Sequence, residues 1–179
     1  MRRHNIQMLC ARHLGAFGMR IEFQILIKNE ITDSVRETFG EALNQQGKVQ
    51  GNLSEKADRC KLLCIARIDD EVVGIGAIKP KTESDFSEQK ADLSKLADDF
   101  NAELGYLYTN PDHARKGIAR NIAKLLVDTY GQKNLMASTE ISANPGMVRI
   151  LETLGFRHYG KPWRSVIHGN YLGLFLKFQ

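Results

Sequence analysis

Polar and apolar positions alternate from Arg20 to Ile27, in a run rich in β-forming side chains, and this predicts a first strand. Ile31, Val35, Phe39 and Leu43 then recur at helical spacing, which predicts a helix over about residues 31–45. Gly47 and Gly51 interrupt the pattern, and Leu53 to Arg59 reads as a shorter second helix. Lys61 to Ile68 and Val72 to Ile78 are two further strand-like runs, joined by the polar turn Asp69-Asp70-Glu71 as an antiparallel hairpin. Gly74-Ile75-Gly76 has the look of a nucleotide fingerprint. It lies inside a strand and leads to Lys79-Pro80 rather than to a helix, so close strand packing explains it better.

Residues 80–100 are less regular. Phe86, Leu93, Leu96 and Phe100 fall on one side of a helix with acids and lysines on the other, so an insertion carrying a short amphipathic helix is expected here. Glu103 to Thr109 is the fourth predicted strand. Ile118, Ile122, Leu125 and Leu126 mark the buried face of a helix over Ile118 to Tyr130, ended by Gly131. Leu135 to Ile141 is the fifth strand. Asn144-Pro145 has the N-cap and first-turn residues of another helix, which Gly155 stops. Phe156 to Tyr159 and Tyr171 to Phe178 are the last strands, around a long loop containing Trp163. The order β-α-α-β-β-β-α-β-α-β-β predicts a single α/β domain.

Composition narrows the function classes. The chain has 179 residues and a net charge of +4, which invites a polyanion-binding reading. Arg2, Arg3, Arg12 and Arg20 supply all of that excess, because residues 1–20 contain no acid. The remaining residues carry equal numbers of basic and acidic side chains, which argues against a nucleic-acid surface. The basic arm has no apolar stretch fit for secretion and is expected to be a loosely ordered extension, with the domain spanning residues 21–179. No apolar run approaches the roughly 18 residues a membrane span needs, so no membrane partner is expected. Cys10, Cys60 and Cys64 are odd in number and lack C-x-x-C spacing, which fits a reducing cytoplasm, and the histidines show no metal-ligand spacing.

The stretch from Asp112 to Arg120 carries the chemistry. It links a strand to a helix and combines Arg115, Lys116 and Arg120 with Gly117, so free N–H groups and cations meet at a helix N-terminus, as a phosphate requires. Its spacing is neither that of a Walker loop nor that of a dinucleotide fingerprint. Arg115-Lys116-Gly117-Ile118-Ala119-Arg120 resembles the pyrophosphate loop of the GCN5-related N-acetyltransferases (GNAT). The segment from Asn144 to Phe156 is similar to a second motif of that family. Two positions depart from its pattern: Ala114 replaces a Gln or Arg, and Leu151 replaces a Tyr often proposed as the general acid.

The resemblance implies a mixed, mostly antiparallel sheet splayed between the fourth and fifth predicted strands and flanked by helices. It implies acetyl-CoA as cosubstrate, no metal, and transfer of the acetyl group to a primary amine by direct attack in a ternary complex. The alternative is a non-catalytic acyl-CoA-binding sensor or scaffold. Glu103, fourteen residues before Gly117, would be the base, and Gly105 would let a ligand approach the backbone. Leu107 N–H would be the oxyanion donor. Leu107, Tyr108, Thr109, Arg115, Lys116, Gly117, Ile118, Ala119, Arg120 and Asn144 would bind the cofactor, although capping alone also explains Asn144. Tyr106, Tyr108, His158 and Tyr159 are the candidate acids. Seven acids between Glu83 and Glu103 suggest a cationic acceptor, a small molecule or a peptide, and homodimerisation is left open.

Overall fold

The computed structural model describes residues 10–14 and 20–179. Most of the basic arm therefore lies outside the described residues. Its described part, Cys10–Leu14, is strand β1, which no hydropathy signal announces; it pairs antiparallel with β2, Arg20–Ile27, from Cys10 opposite Gln24 to Leu14 opposite Arg20. With β3 (Leu62–Ile68), β4 (Glu71–Lys79), β5 (Glu103–Thr109), β6 (Leu135–Glu140), β7 (Arg157–Arg164) and β8 (Tyr171–Lys177), the strands follow the hydrogen-bonded order β1-β2-β3-β4-β5-β6-β8-β7. Two compact units divide the chain: residues up to 77 with 106–126, and residues 78–105 with 127–179.

In the first unit β2 buries Ile21, Phe23 and Ile25 on alternate positions, and it runs antiparallel to β3, Leu62–Ile68. Helix α1, Asp33–Gln46, begins two residues later than the periodicity suggests, because Thr32 Oγ1 accepts the Val35 N–H and caps it there. Ile31 is still buried, just ahead of the cap. The helix ends at Gly47, whose φ of 71° is left-handed. Phe39 and Leu43 pack with Leu26, Leu63, Ile65 and Ile75. The expected second helix is a 3-10 turn, Ser54–Arg59, too short to close α-helical turns before Cys60 returns to extended backbone. Strand β4, Glu71–Lys79, explains its paired glycines. A Cβ on Gly74 would lie 2.7 Å from Ile118 Cγ2, and one on Gly76 would lie 2.6 Å from Ile122 Cγ2. Helix α2, Ile118–Tyr130, packs that closely, so Gly76→Ala is expected to cost about 1–3 kcal/mol, measured by denaturant unfolding.

In the second unit, residues 80–100 form two 3-10 turns, Glu83–Phe86 and Ser94–Asp99, instead of one amphipathic helix. Asp92 takes a left-handed φ of 59°, and the Asp92 and Leu93 N–H groups turn back to Ser87 O and Phe86 O, which closes the segment on itself. The apolar positions are nevertheless inward: Phe86 and Phe100 join Met136, Trp163, Leu174 and Leu176 in one cluster. Acids of this block are matched by lysines: Lys81 with Glu83 at 2.8 Å, Lys90 with Asp85 at 2.7 Å, and Lys161 with Asp92. The block is therefore not the bare anionic face that its composition suggests.

The fourth predicted strand is β5, Glu103–Thr109, and the fifth is β6, Leu135–Glu140. They run parallel, registered at Glu103 opposite Met136, and the short ladder agrees with a splay between them. Strand β8, Tyr171–Lys177, pairs antiparallel with both β6 and β7. Helix α3, Pro145–Thr153, has Asn144 as its cap. Strand β7, Arg157–Arg164, extends well past Tyr159 and includes Trp163, which the sequence pattern assigns to a loop. Its Gly160-Lys161-Pro162 stretch imitates a turn but is an irregularity in register at the end of the strand order, where proline is tolerated.

Candidate functional site

The phosphate-loop candidate opens with Asn110, whose Oδ1 accepts the Asp112 N–H at 3.0 Å and sets a 3-10 turn over Pro111–His113. Arg115 and Gly117 then adopt left-handed φ values of 60° and 77°. The Gly117 carbonyl accepts the Asn121 N–H at 3.0 Å, which makes Gly117 the N-cap of α2. A glycine has no side-chain oxygen to cap the first turn, so the N–H groups of Ile118, Ala119 and Arg120 have no acceptor within the helix and face outward with the positive end of its dipole. Arg115 and Arg120 are exposed beside them. Lys116 Nζ is 3.1 Å from His113 Nδ1, and His113 Nε2 lies 3.4 Å from Glu71 Oε2. The Ile118 side chain is buried, so only its backbone is available to an anion.

Strand β5 is distorted beside this loop. Tyr106 has a left-handed φ of 55° in mid-strand, a conformation costing an aromatic residue about 1–3 kcal/mol. Its ring meets Phe39 edge-on at 5.8 Å, and Tyr108 Oη donates to Gln45 Oε1 at 3.2 Å, so these two side chains face α1. Leu107 takes the opposite face, where its Cδ2 would lie 2.8 Å from a Cβ on Gly76. The Leu107 carbonyl accepts Gln46 Nε2 at 2.8 Å. Among the described residues two buried side-chain polar atoms have no hydrogen-bond partner, Thr109 Oγ1 and Gln46 Oε1.

Glu103 is buried, with a side chain 7% exposed, and its Oε2 accepts from Lys79 Nζ at 2.6 Å, Thr82 N–H at 3.0 Å and Thr82 Oγ1 at 2.7 Å. Gly105 faces this cluster: a Cβ there would be 2.8 Å from Lys79 Cε. Lys79 and Thr82 are the residues sequence reasoning missed. They lie 24 and 21 positions from Glu103, and no local pattern connects them.

The remaining expectations sort by their contacts. Asn144 Oδ1 accepts the Met147 N–H at 3.2 Å, so capping α3 occupies the side chain. Leu151 is fully buried, which makes that position a packing one. His158 meets Phe175 at 5.4 Å with the rings tilted, and Tyr159 meets Phe178 at 5.6 Å. Cys60 and Cys64 are buried and outside any disulfide, and the Cys60 thiol donates to the Lys56 carbonyl at 3.2 Å. Burial pushes the Cys64 thiol up from an ordinary 9.0 to about 12, so it is no nucleophile. Its folded pKa lies above the unfolded one, so the stability it contributes is complete below about pH 9 and lost as pH rises toward 12. Unfolding midpoints of the wild type are expected to fall through that window, and those of Cys64→Ala to fall less. Among the described residues no group of three or more His, Cys, Asp or Glu could hold a metal ion, and no helix is long and apolar enough to cross a membrane.

Coenzyme A fits the residues present. The N-terminus of α2, which has no side-chain cap, suits a pyrophosphate together with Arg115 and Arg120, and the orphan hydroxyl of Thr109 suits a polar group of the pantetheine arm. Gly117→Asp would place a carboxylate over those N–H groups in a conformation that aspartate tolerates. It is expected to weaken coenzyme A binding more than tenfold in calorimetry, with little change in melting temperature.

Comparisons with known proteins agree with this geometry. The acetyltransferase (GNAT) family model matches residues 28–156. No curated protein matches the chain significantly. Among solved structures, the ribosomal-protein-S18-alanine N-acetyltransferase of Escherichia coli is similar over 87% of this chain and 92% of its own, at 13% identity and a TM-score of 0.59. Arabidopsis thaliana NAA60, in complex with a bisubstrate analogue, is similar over 87% of this chain and 97% of its own, at 15% identity and a TM-score of 0.60. The NatC complex bound to Gag peptide and CoA is similar over 89% and 98%, at 11% identity and a TM-score of 0.65. At such identities the likeness shows the fold alone.

Proposed function

The chain belongs to the GNAT acetyltransferase family, and we propose that it transfers an acetyl group from acetyl-CoA to a primary amine by direct attack. The observation that carries this reading is the pairing of a strained strand residue, Tyr106, with a glycine-capped helix N-terminus at Gly117. Strain of this kind is kept where a backbone group must be aimed, and the peptide it aims carries the Leu107 N–H.

The thioester supplies an acyl carbon already activated toward amines. The N-terminus of α2, with Arg115, Lys116 and Arg120, holds the pyrophosphate, and Thr109 with the β5 backbone orients the arm. Leu107 N–H donates to the thioester oxygen as negative charge develops there. The neutral amine forms the N–C bond as the C–S bond breaks, and the thiolate is the leaving group. The amine proton passes through water to Glu103, whose Oε2 is anchored by Lys79 and Thr82, so that Oε1 takes the proton. Buried Cys64 with its raised pKa supports direct transfer over an acylated enzyme.

Thiol release from acetyl-CoA, followed across a panel of amines, tests the proposal. Wild-type turnover is expected with at least one amine. Glu103→Gln is expected to lower kcat about 10²- to 10⁴-fold while coenzyme A binding is retained. Tight coenzyme A binding without turnover of any amine would instead identify an acyl-CoA sensor.

A further inference from the structure

Gln46 is the last residue of α1, and its primary amide is held in one orientation. The Leu107 carbonyl can only accept, so the atom 2.8 Å from it must be Nε2, and Oε1 must point away. That Oε1 is buried and has no donor. Buried amide oxygens are nearly always hydrogen-bonded, and one that is not calls for an explanation. The neighbouring Gln45 also grips β5, through Tyr108 Oη at 3.2 Å, so the end of α1 is held to the strand at two points.

The two orphan atoms are arranged for different ligands. Leu107 and Thr109 share the β5 face toward α2, whose N-terminus is the proposed phosphate cradle. Gln46 belongs to α1, which packs with Tyr106 and Tyr108 on the other face. A thioester held from the α2 side leaves the α1 side to the nucleophile. A neutral amine must aim its lone pair at the acyl carbon, and an N–H donated to a fixed carbonyl does that. We propose that Gln46 Oε1 accepts an N–H of the attacking primary amine and thereby orients its lone pair, with Leu107 supplying both the anchor for Gln46 and the N–H for the acyl oxygen. This inference rests on the acetyltransferase reading.

The test compares wild type, Gln46→Met and Gln46→Lys. Turnover is measured with a polyamine, an aminoglycoside, a lysine peptide and an alanine-terminated peptide, and coenzyme A binding is measured by calorimetry. With the best of the four amines, Gln46→Met is expected to raise the amine KM at least tenfold and to lower kcat. Its coenzyme A Kd is expected to stay within twofold of wild type. Gln46→Lys keeps an N–H donor for the Leu107 carbonyl but has no acceptor, and it is expected to raise the amine KM as the methionine variant does. It also serves if the methionine variant fails to fold. An unchanged amine KM in Gln46→Met would overturn the proposal and leave the acetyltransferase reading intact. A wild-type amine KM in Gln46→Lys would overturn it too, because the donor to Leu107 alone would then suffice. Parallel weakening of coenzyme A would overturn it by assigning Oε1 to the cofactor arm. Wild-type coenzyme A binding with no turnover of any of the four amines would overturn both.

Discussion

Replacing Glu103 by leucine is expected to destabilise the protein by about 3–5 kcal/mol, because it removes the buried carboxylate that Lys79 and Thr82 share. The Lys79 side chain is 14% exposed and its Nζ lies 2.6 Å from that carboxylate, so solvent replaces little of the lost pairing. Thr82 would lose the acceptor for both its N–H and its hydroxyl. At about 2–4 °C per kcal/mol for a chain of this size, the melting temperature should fall by roughly 6–20 °C. The double variant Glu103→Leu with Lys79→Met is expected to recover much of that loss, since a well-packed apolar pair often matches a buried ion pair. A double-mutant cycle measures the coupling, and additive losses would show that the pair is not coupled. Glu103→Gln keeps the shape and an acceptor oxygen, which makes it the variant for kinetics and the leucine variant the one for stability.

A second large effect is expected at Gly160. A Cβ there would lie 2.1 Å from the backbone oxygen of Ala91, and the residue has a left-handed φ of 72°. Ala91 cannot retreat: it is fully buried, and its carbonyl already accepts the Lys161 N–H at 3.0 Å. Gly160→Ala therefore combines overpacking against rigid backbone with backbone strain, about 2–6 kcal/mol together. Gly131→Ala is the matched control. Its φ of 82° is equally left-handed, but nothing lies within 4 Å of an added Cβ, so only the strain should appear. Equal losses at the two positions in chemical denaturation would remove the steric part of the argument.

Gly160 also shows why part of the fold was hidden from the sequence. Gly160-Lys161-Pro162 reads as a turn to any local rule, and only the pairing of β7 with β8 on either side of the irregularity turns it into strand. Residues 80–100 failed in the opposite way. Their helical spacing correctly marked Phe86 and Phe100 as buried, but the left-handed Asp92 and the Lys90–Asp85 pair close the backbone into 3-10 turns. By contrast, β2, β5 and α2 were legible to the residue, because each has an unbroken period and a glycine or polar stop. The turn that starts α2 was legible for a related reason: a glycine at a helix start and the N–H groups that follow it are local in sequence.

Periodicity and neighbours along the chain suffice for β2, α1, the β3–β4 hairpin, β5, α2, β6 and α3 to within a few residues, and for the family. It takes the folded chain to bring Glu103 against Lys79, Gly105 against the same lysine, and Gln46 to Leu107 across 61 positions. Hydrogen bonds and ion pairs of that span depend on where the chain returns in space. No local residue preference encodes that return.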